Sequence, residues 1–174
     1  NENKVWTILD VIKDDYKKVV LKNTEGLNPK LKMFGLLIIS VLYTMFLINY
    51  VEIGTDIIIP IINYNLSLPI WLYIPFTILV MLASTNAVNL TDGLDGLAGG
   101  LSLICFLIYG MIAWNSPYLS GSDDIAVFCF ILVGGLLGFL VFNAHPAKIF
   151  MGDTGSLALG GTLATIAILT HREF

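Results

Sequence analysis

The sequence predicts an all-α, polytopic transmembrane helix bundle, and three observations predict it. Of its 174 residues 56% are hydrophobic and only 13% charged, with a mean hydropathy of +0.83, more apolar than a water-soluble domain of this size can hide in one core. The apolar residues gather into five runs of helical, membrane-crossing length, given that a hydrocarbon layer about 30 Å thick takes roughly 20 residues of helix. The remaining polar residues fall between those runs, beside glycine and proline. A formal net charge of −4 excludes nucleic acid as a partner, because phosphate backbones are bound by basic surfaces.

In chain order the runs are Met33 to Val51, Leu68 to Val88, Leu97 to Trp114, Ile125 to Phe142 and Ser156 to Thr170. Between the first two, Ile57 to Ile62 is too short to span and contains Pro60, followed by Asn63, Asn65 and Pro69. It reads as a small surface excursion, either a β-hairpin or an ordinary loop. Cys105 and Cys129 lie inside apolar runs, where cysteine behaves as a small hydrophobe. The whole of 1–174 reads as one integral membrane domain. Because it begins at Asn1 without an initiator Met and stops just after an apolar run, it is expected to be part of a longer protein.

Lysine and arginine flanking the spans are retained on the cytoplasmic side. Lys4, Lys13, Lys17, Lys18, Lys22, Lys30 and Lys32 precede the first span and Lys148 follows the fourth, leaving only Arg172 on the other side. The first segment is therefore predicted to face the cytoplasm. Parity then puts Asp14 and Asp15, Asp92 and Asp95, and Asp153 on the same, cytoplasmic face, since an even number of spans separates each group.

Those acids form three clusters. In DDYKKVVLK, Asp14 and Asp15 stand four and three residues before Lys18, a spacing that stacks them on one face if the segment is helical; alone it reads first as a solvated helix end. In NAVNLTDGLDGLAGG, Asn86, Asn89, Asp92 and Asp95 recur every three residues, which on a helix keeps short polar groups on roughly one side. A cytoplasmic turn with a capping residue explains one of these acids but not four polar residues in register at the membrane edge, where ionisable groups are costly. In FNAHPAKIFMGDTGS, Pro146 ends one helix, while Asp153, Thr154 and Gly155 supply a cap and free amides for the next. His145 reads as either a loop histidine or a catalytic one. Together the clusters hold the groups that magnesium and a diphosphate require: carboxylates for Mg²⁺, with lysine and backbone amides for the phosphates. His145 and His171 are solitary, so no zinc grouping is present.

These stretches resemble the phospho-N-acetylmuramoyl-pentapeptide transferase family, within the polyprenyl-phosphate hexosamine-1-phosphate transferases. The likeness runs from about Ile12 to Phe174 and is carried by NAVNLTDGLDGLAGG, FNAHPAKIFMGDTGSLALGG and DDYKKVVLK. It implies transfer of a phosphosugar from UDP-N-acetylmuramoyl-pentapeptide to undecaprenyl phosphate at the cytoplasmic face, with Mg²⁺ required and UMP released. It places the metal-binding aspartate at Asp153 and an aspartate pair handling metal or lipid phosphate at Asp14 and Asp15. Nucleoside contacts fall on Lys18, Leu90, Gly93, Asp95 and Phe150, and Asn89, Asp92 and Asn143 match polar positions lining the same cleft. The chain departs from the family in having Lys13 at a usually apolar position, and in lacking counterparts of the first and last spans with their histidine-rich motif.

Two other readings compete. A sister transferase would use UDP-N-acetylglucosamine. An ion-coupled transporter would also carry acids and glycine-broken helices, but its sites lie near the bilayer midplane, whereas every acid here sits at a span end. A homodimer through the small residues Gly134, Gly135 and Gly138 is a further expectation.

Overall fold

The computed structural model describes residues 29–51, 53–59, 64–116 and 121–173. The three acidic-cluster residues Asp14, Asp15 and Lys18 therefore lie outside the described residues. Five long helices dominate: α1 (Pro29–Phe46), which continues through a π-helical turn at Leu47–Val51, α2 (Ile70–Thr91), α3 (Leu97–Trp114), α4 (Ser122–Asn143) and α5 (Gly152–Leu169). Each is long and apolar enough to cross a membrane, and the fold is the predicted helical membrane bundle. The helices start and stop within a few residues of the expected runs, with the largest shifts in starting point at α1, which begins at Pro29 instead of Met33, and α5, which begins at Gly152 instead of Ser156. Proline is suited to a helix start, where its missing N–H has no intrahelical partner in any case.

The excursion after α1 is a β-hairpin. Strands β1 (Asp56–Ile59) and β2 (Tyr64–Ser67) run antiparallel, pairing Asp56 with Ser67 and Ile59 with Tyr64. Ile57, 1% exposed, anchors it in the interior, and the Ile58 N–H donates to the His171 carbonyl at 3.0 Å, docking the hairpin on the segment after α5.

Helix α3 packs along α4 and α2 along α5, with α1 against α2. The α2–α5 contact is close because Gly160 lets the backbones meet: a Cβ there would stand 2.6 Å from Thr85 Cα. Ser84 Oγ also donates to the Gly160 carbonyl at 2.8 Å. Three buried hydroxyls turn back on their own helix, Ser40 to Leu36 O, Thr44 to Ser40 O and Thr77 to Tyr73 O, which satisfies them without water as an apolar surround requires. Outward faces carry large apolar side chains such as Leu79, Ile131 and Val141; in water this would be a liability, and in lipid it is the solvated surface. Cys129 is buried, and neither cysteine is paired.

Contacts define the two ends. The hairpin meets the end of α5, while the start of α1, the end of α2 and the start of α5 meet at the opposite end. The α2–α3 and α4–α5 connections also touch one another.

Candidate active site at one end of the bundle

Helix α2 ends at Thr91, and Asp92 to Gly96 form turns before α3. The three-residue polar period therefore does not stay on one helical face. Asn86 turns its amide back to the Leu82 carbonyl at 2.7 Å, while Asn89, on the last turn, reaches across to α5. Gly96 takes a left-handed φ of 74°, which a side chain would oppose, and it lets α3 begin against the α4–α5 connection.

At the start of α5, Asp153 lies in the first helical turn and is not the cap; that position falls to Met151, which makes no side-chain cap bond. The carboxylate is instead held from outside its helix. Asp153 Oδ2 is 3.0 Å from Lys32 Nζ, and its Oδ1 accepts from Asn89 Nδ2 at 2.9 Å. Lys32 Nζ donates to Asn89 Oδ1 at 3.0 Å as well, and Asn89 Nδ2 also donates to the Oγ of Ser156 at 2.9 Å, a residue with no exposed surface. The Asn89 amide is thus oriented by chemistry: its oxygen meets the ammonium and its nitrogen the carboxylate. Asp92 joins this group. Burial first, and the charge of Asp153 after it, raise its carboxyl above the ordinary range, against a hydrogen bond from the Gly152 N–H that lowers it.

A second group stands beside the first. Asp95 Oδ2 receives His145 Nδ1 at 3.0 Å and the Ala147 N–H at 3.1 Å, and these bonds hold its carboxyl below the usual carboxylate range. Buried Asn143 accepts the Gly96 N–H at 3.1 Å and donates to the Ile149 carbonyl at 2.8 Å.

Of the residues expected from the sequence, Asn89, Asp92 and Asp153 come together in one network and Asp95 and Asn143 in its neighbour. Leu90 and Phe150 are at the same end but largely exposed, 81% and 74%, and Gly93 is exposed too; none of the three bonds to the network through a side chain. Sequence reasoning missed Lys32, which served there only to set membrane orientation, and Ser156. The signal for Lys32 was available in its position at the head of the first span, on the same predicted face as Asp153.

Among the described residues no three acids, histidines or cysteines gather at metal-binding spacing. The donors present are hard oxygens: Asp153 with Asp92 close enough to feel its charge. That chemistry suits Mg²⁺, which uses one or two carboxylates and leaves the rest of its shell to water and phosphate oxygens. It does not suit a soft-metal site.

Five helices of membrane-crossing length with a charged, amide-lined junction at one end define a multi-pass helical membrane protein with a polar site at its span ends. The chain belongs to glycosyl transferase family 4, whose pattern it matches over residues 8–171. Among curated relatives it is 48% identical over 161 residues to a phospho-N-acetylmuramoyl-pentapeptide-transferase of Listeria monocytogenes, covering 92% of this chain and 48% of that one. It is 49% identical over 160 residues to the protein of the same name from Bacillus subtilis, with the same two coverages. The chain thus spans about half the length of the curated relatives it matches.

Proposed function

We propose that the protein transfers phospho-N-acetylmuramoyl-pentapeptide from its UDP-linked form to undecaprenyl phosphate, making lipid I and UMP for peptidoglycan, at the cytoplasmic face of a bacterial plasma membrane. Family membership and the names of the relatives support this reading over a transporter, and those names favour the muramoyl donor over UDP-N-acetylglucosamine. One junction carries it: Lys32, Asn89 and Asp153, from three helices, meet beside Asp92 at the end of the bundle where α2 hands over to α3. Solvated loop charges have no need of an amide that reads both members of an ion pair.

Both reactants are anions, so charge repulsion dominates the barrier and its neutralisation is what the site must supply. Mg²⁺ would be held by Asp153, with Asp14 and Asp15 as the resemblance implies, and would neutralise the diphosphate. Asn89 holds the Asp153 carboxylate in one orientation. Lys32 keeps the two acids from repelling the incoming phosphates, and Lys18 would contact the nucleoside, as the resemblance implies. The remaining residues at this end, Leu90, Gly93, Asp95, Asn143 and Phe150, would receive the nucleoside, with the exposed Phe150 ring offered to the base.

An oxygen of the lipid phosphate forms a bond to the β-phosphorus of the nucleotide sugar, and the bond from that phosphorus to the UMP oxygen breaks. Direct attack needs no protein nucleophile; a two-step route would pass the phosphosugar through Asp14 or Asp15. The glycines of α4, Gly134, Gly135 and Gly138, have open space where a Cβ would stand, which leaves that face available to a second copy in the proposed homodimer. UMP release by the full-length protein from UDP-N-acetylmuramoyl-pentapeptide and from UDP-N-acetylglucosamine, with and without Mg²⁺, tests the reading. Mg²⁺-dependent release from the first alone is expected; release from the second alone would establish the sister activity, and release from neither would end the proposal.

A further inference from the structure

Asp95 takes two donors on a single oxygen, Nδ1 of His145 at 3.0 Å and the Ala147 N–H at 3.1 Å, both on Oδ2. One residue on, Asn143 already joins the same two connections through the Gly96 N–H and the Ile149 carbonyl. Asn143 is 5% exposed, whereas the His145 side chain is 85% exposed. The buried amide thus joins the connections independently of the histidine, whose exposed ring bears on Asp95.

What His145 adds is direction. The terminal torsion of an aspartate is soft, and its two oxygens exchange by rotation. Two converging donors on Oδ2 remove that freedom and leave Oδ1 without a partner among the described residues. The same donors, the Ala147 N–H first and His145 after it, hold the carboxyl below the usual carboxylate range. An ionised carboxylate repels a phosphate and accepts from N–H and O–H groups, so Asp95 suits the nucleoside part of a nucleotide sugar and not its diphosphate.

We infer that His145 is a positioning residue: it fixes Asp95 so that Oδ1 accepts a hydrogen bond from the nucleoside part of the sugar-nucleotide substrate. This rests on the functional reading above.

The test uses full-length protein with Mg²⁺ and undecaprenyl phosphate, following UMP release against nucleotide-sugar concentration. His145→Ala and His145→Phe remove the donor at an exposed site, and His145→Asn returns an N–H close to the place of Nδ1. Both removal variants should raise KM for the nucleotide sugar about fivefold, the size of one hydrogen bond, with kcat within about twofold. His145→Asn should recover most of the lost affinity, and in an Asp95→Asn background His145→Ala should add nothing. Unchanged KM in both removal variants, a loss confined to kcat, an Asn variant as impaired as Ala, or full additivity with Asp95→Asn would each overturn the inference. A wild type that releases no UMP from either nucleotide sugar overturns the functional reading beneath it, and the inference falls with it.

Discussion

The ammonium of Lys32 lies 3.0 Å from Oδ2 of Asp153, joining residues 121 positions apart in the chain. The pair is partly exposed, 25% and 38% for the two side chains, and ion pairs so placed add about 0 to 1 kcal/mol to stability. Its value is therefore electrostatic: a cation held beside the acids where phosphates are proposed to meet. Lys32→Met should cut turnover by about a hundredfold, in the range of losing one preorganised charge partner. Its thermal unfolding in detergent should stay within the few degrees that about 1 kcal/mol represents. UMP release and a melting curve on the same preparation check both halves.

Gly160 is where α2 and α5 come closest. An added Cβ would stand 2.6 Å from Thr85 Cα and 2.7 Å from the Ser84 carbonyl oxygen, backbone atoms that cannot swing aside. Gly160→Ala should destabilise by about 1 to 3 kcal/mol, the usual cost of overpacking. In Gly100→Ala, at a helical position with nothing within 4 Å of the new methyl, stability should hold or rise slightly. Parallel melting curves decide it, and equal behaviour of the two variants would contradict the packing described.

The two aspartates of the α2–α3 connection should respond to acid in opposite senses. Asp95 is held below the ordinary carboxylate range, chiefly by the Ala147 N–H and then by His145. Its contribution is present above the unfolded value of about 3.9 and is lost as pH falls through the lower folded value. Asp95→Asn should thus unfold at a lower temperature than wild type at pH 7, with the gap closing below about pH 4.

Asp92 is raised, by burial first and by the charge of Asp153 as well, so its ionised form works against the fold at neutral pH and the strain disappears below about pH 4. Asp92→Asn should be no less stable than wild type at pH 7, since Asn can still accept from the Gly152 N–H, yet turn over more slowly. Stability gained where activity is lost is the mark of a strained functional residue. A clear drop in unfolding temperature at pH 7 would contradict it.

Much of this was legible in the chain itself. Five apolar runs of spanning length appear as five helices, because in lipid the backbone must satisfy itself and helices do so locally. Asn89, Asp92 and Asp153 meet as parity required of the second and third clusters, while Asp14 and Asp15 lie outside the described residues. The internal geometry was less readable. The three-residue polar period suggested one helical face, but the helix stops at Thr91 and the turn sends Asp92 towards Gly152 and Asp95 towards Ala147. Asp153 looked like a cap and is a first-turn residue, since Gly152, with its φ of 67°, already opens the helix. Lys32 could not be assigned from composition, because a lysine at a span end serves orientation equally well, and only its contact with Asn89 and Asp153 separates the two roles.

In the proposed reaction Asp153, held by Lys32 and Asn89, is the metal-dependent heart of the sugar-phosphate transfer. Its most direct test is UMP release by full-length wild type and Asp153→Asn from UDP-N-acetylmuramoyl-pentapeptide as Mg²⁺ is varied. The account predicts Mg²⁺-dependent release in the wild type and a loss of at least about a hundredfold in the variant, greatest when Mg²⁺ is limiting. Near-normal turnover of Asp153→Asn at limiting Mg²⁺ would contradict it.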